Sequence, residues 1–171
     1  NVFEPEFCRS LIALYERHGG DDSGFARSDT SGKLATVVDY GFKRRRDHVI
    51  RDQAVLDAIT ARFQRRLFPE ILKVFQFKVG AADSYLIARY DGGEGGYFRA
   101  HRDNAVPETA HRRFAASINL NADEYEGGDL RFPEYDTRTY RAPTGAAVVF
   151  SCSLLHEVRP VTRGRRYAVL P

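Results

Sequence analysis

The sequence contains no methionine and no tryptophan, and it has only two cysteines among 171 residues. Cys8 and Cys152 are too few for a disulfide framework and lack metal-ligand spacing, so a reducing, cytoplasmic setting is expected. No run approaches the roughly 18 apolar residues of a membrane-spanning helix, so no membrane partner is expected. The first residues, NVFEPEF, do not resemble a signal peptide. The start at Asn1 without methionine leaves open whether the sequence is a piece of a longer protein.

Charge and composition are those of an ordinary globular protein. Hydrophobic residues make up 43% of the chain and charged residues 29%, with a net charge of +3. This length suits one domain over residues 1–171, and we find no internal repeat or linker. A mildly basic balance does not by itself indicate nucleic-acid binding. The sequence carries no indication of an oligomeric state.

The first 75 residues predict helical support for a core that follows. Helical spacing and punctuation by Pro and Gly define most of the elements. They are a helix over Pro5–His18, a loop over 20–33, a strand over Leu34–Tyr40, a helix over Asp52–Leu67 and a short helix from Pro69, with Ile71, Leu72 and Phe75 facing inward. The basic run 43–46 and the group of Arg62, Arg65 and Arg66 are interpreted as solvated faces.

From about residue 76 the pattern changes to short aromatic and β-branched segments separated by turn residues, which is typical of a β-sandwich or barrel. The predicted fold is therefore mainly β, a barrel over 76–171 with two or three N-terminal helices packed outside. The predicted strands are Ser84–Tyr90, Tyr97–His101, Phe114–Leu120, Asp129–Phe132, Thr139–Arg141, Ala146–Ser151, His156–Val158 and Arg166–Leu170.

A candidate metal site comes from three residues in two of these strand-like segments. His101 and Asp103 are two apart, and residues at that spacing on a strand point to the same face. His156 lies in a second strand-like segment. Two imidazoles and one carboxylate on one face of a metal form the triad used for non-haem iron(II). His-x-Asp alone is a weak pattern, more often a solvated turn.

Arg166 strengthens the metal hypothesis. It follows His156 by ten residues and leads into an apolar strand. An arginine inside a barrel needs an anionic partner. The distal carboxylate of 2-oxoglutarate would fit, because a planar guanidinium can bind a carboxylate with two parallel hydrogen bonds.

Five stretches in this order resemble the prolyl-4-hydroxylase-like branch of the 2-oxoglutarate and iron(II)-dependent dioxygenases. The resemblance covers roughly residues 84–171. The stretches are ARYDGGEGGYFRAHRDN (88–104), SINLN (117–121), EGGDLRFP (126–133), PTGAAVVF (143–150) and HEVRPVTRGRRY (156–167). The resemblance implies a double-stranded β-helix, which is a jelly-roll, cupin-like barrel.

The same resemblance implies the cofactors and the site residues. Iron(II) is implied at His101, Asp103 and His156, with O2 and 2-oxoglutarate as cosubstrates and ascorbate as a further candidate reductant. Arg166 would bind the distal carboxylate of 2-oxoglutarate, and Tyr90 would donate to it. Asn119 occupies a strand position that frequently lines the cosubstrate pocket. Arg165 is adjacent to Arg166, and the family's Arg-Tyr pairing favours Arg166 as the inward residue.

The leading function hypothesis is hydroxylation of an amino-acid side chain, prolyl or similar, in a peptide, a protein or a free amino acid, with release of succinate and CO2. A nucleic-acid oxidative demethylase with the same metal chemistry is a second hypothesis. Nucleic acid is the less favoured partner, because clear aromatic interleaving for base stacking is lacking. A barrel that binds or senses without turnover is the third.

Overall fold

The computed structural model describes residues 1–28 and 34–171. Within this part the helices are α1 (Pro5–His18), α2 (Gln53–Arg62) and α3 (Phe68–Phe75), with a π-helical turn at Phe63–Leu67 between the last two. The predicted bounds of α1 are confirmed. Cys8, Leu11 and Tyr15 form its buried face, at the spacing that places side chains on one side of a helix.

The two helices predicted over Asp52–Leu67 and from Pro69 form one helical region without a break. Asp52 caps α2 by accepting a hydrogen bond from the Val55 N–H. The π-helical turn then carries the chain directly into α3, whose first turn contains Pro69. Within α3 only Ile71 is buried. The predicted inward position of Leu72 and Phe75 was wrong: they are 47% and 43% exposed.

The carboxylate of Glu4, the residue before α1, joins the helices. It accepts hydrogen bonds from Arg62 Nε at 2.8 Å and Arg66 Nη2 at 2.5 Å. These two bonds, with Arg62 the larger influence, lower the pKa of Glu4 from its ordinary 4.5 to about 2. Arg62 and Arg66, which the sequence placed on a solvated face, therefore connect the start of α1 to the second helical region.

This depressed pKa predicts how the stability of the protein depends on pH. Glu4 stabilises the fold fully above the unfolded-state pKa near 4.5, and the contribution is lost as the pH falls towards 2. We expect Glu4→Gln to lower the free energy of unfolding at pH 7, and the difference from wild type to shrink between about pH 5 and pH 3. Urea unfolding of both proteins at each pH measures this difference in the free energy of unfolding. Glu70→Gln, in an exposed pair with Lys73, is the control, and an equal pH-dependent loss there would contradict the assignment.

The strands are all antiparallel to their neighbours. In chain order they are β1 (Asp21–Asp22), β2 (Phe25–Ser28), β3 (Leu34–Val37), β4 (Lys43–Arg44), β5 (Arg46–Val49), β6 (Leu86–Asp91), β7 (Tyr97–His101), β8 (Phe114–Asn119), β9 (Tyr125–Gly127), β10 (Leu130–Arg131), β11 (Thr139–Tyr140), β12 (Ala147–Ser151), β13 (His156–Val158) and β14 (Val161–Leu170).

Two sheets face each other. The larger has the order β1-β5-β6-β14-β8-β12, with β9 also paired to β14, and the smaller has the order β11-β10-β13-β7-β4. The strands β2 and β3 form a separate two-stranded sheet, whose Phe25 packs against Phe98 of the smaller sheet. The first 75 residues therefore do more than supply helices, since β1 and β5 extend one sheet and β4 extends the other.

The predicted loop over 20–33 was partly wrong. Its described part contains β1 and β2, whose backbone N–H and C=O groups are satisfied by pairing with β5 and β3. Residues 29–33 of that prediction lie outside the described residues. The predicted mainly-β class with helices outside the sheets is confirmed.

Strand alternation divides the core into two layers. On the larger sheet Ile87, Ile118 and Val169 pack with the buried residues of the helices. Their neighbours along the chain, such as Ala88 and Ser117, face the space between the sheets. Because successive side chains of a strand point to opposite faces, one sheet can pack against helices and also line a cavity.

Candidate active site

The three predicted metal ligands lie on two neighbouring strands. His101 is the last residue of β7, and His156 is the first residue of β13. The two strands pair with His101 opposite His156. Asp103 lies just beyond β7, in a turn rather than on the strand, and its N–H donates to the Cys152 carbonyl at 3.0 Å. Strand register therefore brings the histidines together, and the turn directs the carboxylate to them.

The donor atoms of these three side chains converge. His101 Nε2 is 3.4 Å from Asp103 Oδ1, and His156 Nε2 is 3.7 Å from Asp103 Oδ2. One ligand atom from each residue lies within 4.8 Å of the others. Bonds of about 2.1 Å to one metal in a facial arrangement separate ligand atoms by about 3 Å. A small contraction would bring all three onto a single ion.

Hydrogen bonds prepare both imidazoles as ligands. Nδ1 of His101 lies 2.8 Å from the Arg99 carbonyl, and Nδ1 of His156 lies 3.0 Å from the Leu154 carbonyl. A carbonyl oxygen only accepts, so each Nδ1 carries the proton and each Nε2 presents a lone pair. This arrangement fixes the tautomer and ring orientation that a metal-binding histidine needs.

The charge states also suit a metal. Burial lowers the pKa of His156, outweighing the opposing effect of Asp103, so its ring is held neutral. Burial alone would raise the pKa of Asp103, but the protonated forms of His101 and His156 outweigh burial and hold that pKa below its usual range, so the carboxyl stays ionised. Neutral imidazoles and an ionised carboxylate are the forms that bind metal ions. The donor set therefore fits a single divalent ion.

The triad opens into a cavity of about 760 Å³ between the two sheets. Apolar rings cover the histidines: Phe98 stacks on His101 with ring centroids 3.7 Å apart, and Phe150 lies 4.5 Å from His156. Leu130 and Val158 complete an apolar wall on the same side. Such walls limit water around the metal and leave a dry space for reactants.

Arg166 and Tyr90 line the same cavity. They are directly opposite each other on β14 and β6, and the Arg166 guanidinium lies 5.0 Å from the centre of the Tyr90 ring. Arg166 is only 4% exposed and donates to Ser117 Oγ at 3.0 Å. Among the described residues no carboxylate forms an ion pair with it. Because burying a charge without an ion-pair partner is costly, this guanidinium is suited to bind an anionic ligand.

The neighbouring Arg165 faces the other way. Its side chain is half exposed, and Nε pairs with Asp91 Oδ2 at 3.0 Å. Arg166 and Arg165 thus lie on opposite faces of β14, as strand alternation requires.

Asn119 differs from the other predicted site residues. It is buried, but its amide donates to the Tyr125 hydroxyl at 2.7 Å and to the Ala142 carbonyl at 2.9 Å. It borders a small pocket behind Arg166 and does not line the main cavity. Ser117, two residues earlier on the same face of β8, is the residue that reaches Arg166 and the main cavity.

The structure also adds two charged cavity residues that the sequence interpretation missed, Lys43 and Arg45, which share Asp47 as a carboxylate partner. Lys43 and Asp47 are 6% and 8% exposed, and the Arg45 side chain is 9% exposed. The interpretation of the basic run 43–46 as a solvated face was therefore wrong for Lys43 and Arg45. The alternation Lys43-x-Arg45-x-Asp47 is a strand-like signal that would have placed all three on one face. Burial, with Arg45 nearby, lowers the pKa of Lys43 to about 7.

Two facing sheets that enclose a two-histidine, one-carboxylate site define a mononuclear metal centre of the non-haem iron class. Residues 85–170, half of the chain, match the family model of the 2OG-Fe(II) oxygenase superfamily. The chain belongs to this superfamily. Iron(II), 2-oxoglutarate and O2 are the cofactor and cosubstrates that membership implies, and the His101, Asp103 and His156 triad is consistent with iron.

Similar sequences carry hydroxylase names. A PKHD-type hydroxylase from Cupriavidus metallidurans is 42% identical over 89 residues, which are 47% of this chain and 38% of that protein. One from Bordetella pertussis is 44% identical over 89 residues, with the same shares. The chain therefore spans well under half the length of these curated relatives.

Solved structures confirm the predicted double-stranded β-helix. The viral collagen prolyl hydroxylase of Paramecium Bursaria Chlorella virus-1, in complex with 2OG, has a TM-score of 0.69 at 14% identity, covering 99% of this chain and 90% of that one. A Pseudomonas putida prolyl-4-hydroxylase gives 0.61 at 22% identity, covering 99% and 86%. A prolyl hydroxylase from Trichoplax adhaerens, in complex with a peptide fragment, gives 0.65 at 17% identity, covering 96% and 74%.

No helix within residues 1–28 and 34–171 is both long enough and apolar enough to cross a membrane.

Proposed function

We propose that this chain carries the catalytic centre of a hydroxylase that acts on an amino-acid side chain, prolyl or similar, in a peptide, a protein or a free amino acid. The reaction would convert 2-oxoglutarate, O2 and R–H into succinate, CO2 and R–OH. The observation that carries the proposal is one cavity lined by both the metal triad and the buried, unpaired Arg166. Hydroxylase names among the relatives, and a peptide in one structural neighbour, support the substrate class.

In this proposal each cavity residue has a physical role. His101, Asp103 and His156 would hold iron(II) from one face, leaving the cavity side for reactants. Bound there, the iron would supply the activation of O2. Arg166 would pair with the distal carboxylate of 2-oxoglutarate, and the Tyr90 hydroxyl would donate a hydrogen bond to the same carboxylate. The apolar wall around Phe98 and Phe150 would exclude water from the reacting atoms.

The proposal is tested by succinate release with iron(II), 2-oxoglutarate and O2. Three substrate pools are compared: proline-containing peptides, free amino acids and methylated oligonucleotides. We expect succinate above the substrate-free rate in the peptide or amino-acid pool, together with hydroxylated product by mass spectrometry. His156→Ala serves as the inactive control.

Two results would overturn the proposal in different ways. Stimulation by oligonucleotides alone would favour the demethylase hypothesis over the hydroxylase. Absence of succinate in every pool, combined with no anaerobic charge-transfer band from iron(II) and 2-oxoglutarate, would favour a barrel without turnover.

A further inference from the structure

Arg45 makes contacts that neither metal binding nor direct cosubstrate binding accounts for. Its side chain is 9% exposed and lines the cavity. Nη2 pairs with Asp47 Oδ2 at 2.6 Å, while Nη1 donates to the Tyr90 hydroxyl at 3.3 Å. One guanidinium thus bridges a buried carboxylate and the phenol predicted to meet 2-oxoglutarate.

The direction of these bonds limits what the Tyr90 hydroxyl can do. A guanidinium carries donors only, so the Tyr90 oxygen must accept from Arg45. The single proton of the phenol is then directed away from Arg45. Tyr90 itself lines the cavity beside Arg166, whose guanidinium lies over its ring at 5.0 Å. Because the Tyr90 oxygen accepts from Arg45, its own O–H remains available to donate a hydrogen bond to an anion held by Arg166.

Asp47 fixes Arg45 in place. The pair at 2.6 Å is almost completely buried, so its charges are not screened by water. Lys43 Nζ approaches the same carboxylate at 3.6 Å and donates to the Gly24 carbonyl at 3.1 Å. The Asp47 carboxylate therefore holds Arg45 through Nη2, which leaves Nη1 directed at the Tyr90 hydroxyl.

We propose that Arg45, held by Asp47, is a positioning residue that acts through Tyr90 and directs the Tyr90 hydroxyl proton towards the distal carboxylate of 2-oxoglutarate on Arg166. This inference rests on the proposed function, because it assumes that 2-oxoglutarate binds at Arg166. It assigns Arg45 no contact with the cosubstrate. The competing possibilities are that Arg45 contacts the ligand itself, or that it only supports the fold.

A double-mutant cycle on cosubstrate binding separates these possibilities. The iron(II)-loaded protein is titrated with 2-oxoglutarate without oxygen, and the charge-transfer band reports the dissociation constant. The double variant Arg45→Gln/Asp47→Asn, called the bridge variant, removes the guanidinium that joins Asp47 to Tyr90. It does not leave Asp47 as an unpaired anion. Tyr90→Phe removes only the hydroxyl, and a triple variant combines all three changes.

We expect the bridge variant and Tyr90→Phe each to weaken 2-oxoglutarate binding about tenfold, as for loss of a hydrogen bond to a charged group. The triple variant should bind within twofold of Tyr90→Phe, because without the hydroxyl the bridge has nothing to direct. Arg46→Gln is the matched control. Arg46 is next in sequence, but its side chain pairs with Asp22 and Glu94 near the surface, so its loss should leave binding unchanged.

Losses that multiply in the triple variant would overturn the inference, as would a bridge variant that binds like wild type. A wild-type protein without the band would instead overturn the proposed function, and the inference with it. Thermal unfolding checks that each variant is folded. If the bridge variant does not fold, Arg45→Lys in the wild-type and Tyr90→Phe backgrounds provides the same cycle, because a lysine lacks the fork that reaches both partners.

Discussion

Asp103→Asn is expected to abolish iron binding and to lower 2-oxoglutarate turnover by more than about 100-fold, since changes to groups behind a metal ligand already cost 10- to 100-fold. The substitution keeps the shape of the side chain but removes its charge. Asp103 is the only anion among the three converging ligands. Without it two neutral imidazoles remain, which bind a hard divalent ion weakly. Metal titration and succinate release measure the two effects.

Asp83→Asn is the matched control for this prediction. Asp83 also lines the cavity, but it lies at the rim, is 41% exposed and pairs with Arg112 at 2.7 Å. Its replacement should change neither iron affinity nor the rate of 2-oxoglutarate turnover. Iron binding that survives in Asp103→Asn and disappears in Asp83→Asn would show that the metal is held elsewhere.

Local sequence patterns predicted much of the metal centre, because the residues that form each pattern are close together in the sequence. His101 and Asp103 are separated by one residue, and Arg166 leads into an apolar strand. The pairing of His101 with His156 could not be derived in the same way. It depends on the register between β7 and β13, which are far apart in the sequence, so the resemblance to a known family had to supply it.

The buried charges of β4 and β5 show the opposite case. Locally, a run of basic residues favours solvent, because burying a charge without a partner is costly. Their burial is possible only because β4 joins one sheet, β5 joins the other, and Asp47 lies within reach of both Lys43 and Arg45. Tertiary pairing therefore reversed the local preference. Similarly, Leu72 and Phe75 follow a helical pattern, but the fold leaves them half exposed.

Arg166→Gln is expected to weaken 2-oxoglutarate binding about 100-fold, because removing one partner of a buried, hydrogen-bonded charge pair costs about 2–5 kcal/mol. Iron affinity should be unchanged, since Arg166 is not among the metal ligands. Arg166→Lys should give an intermediate loss, because an ammonium keeps the charge but not the two-pronged geometry. Anaerobic titration with 2-oxoglutarate measures the two losses of cosubstrate affinity, and titration with iron(II) measures the iron affinity.

Arg165→Gln makes this test specific to one face of β14. The two arginines are adjacent, equally charged and on the same strand, so an effect of net charge would appear in both variants. Arg165→Gln loses ion pairs of a half-exposed side chain with Asp91 and Glu16, each worth about 0–1 kcal/mol of stability. We expect its 2-oxoglutarate affinity to match wild type. Weakened binding in Arg165→Gln with normal binding in Arg166→Gln would mean that the strand presents its other face to the cosubstrate. The strand register that places Tyr90 opposite Arg166 would then be wrong as well.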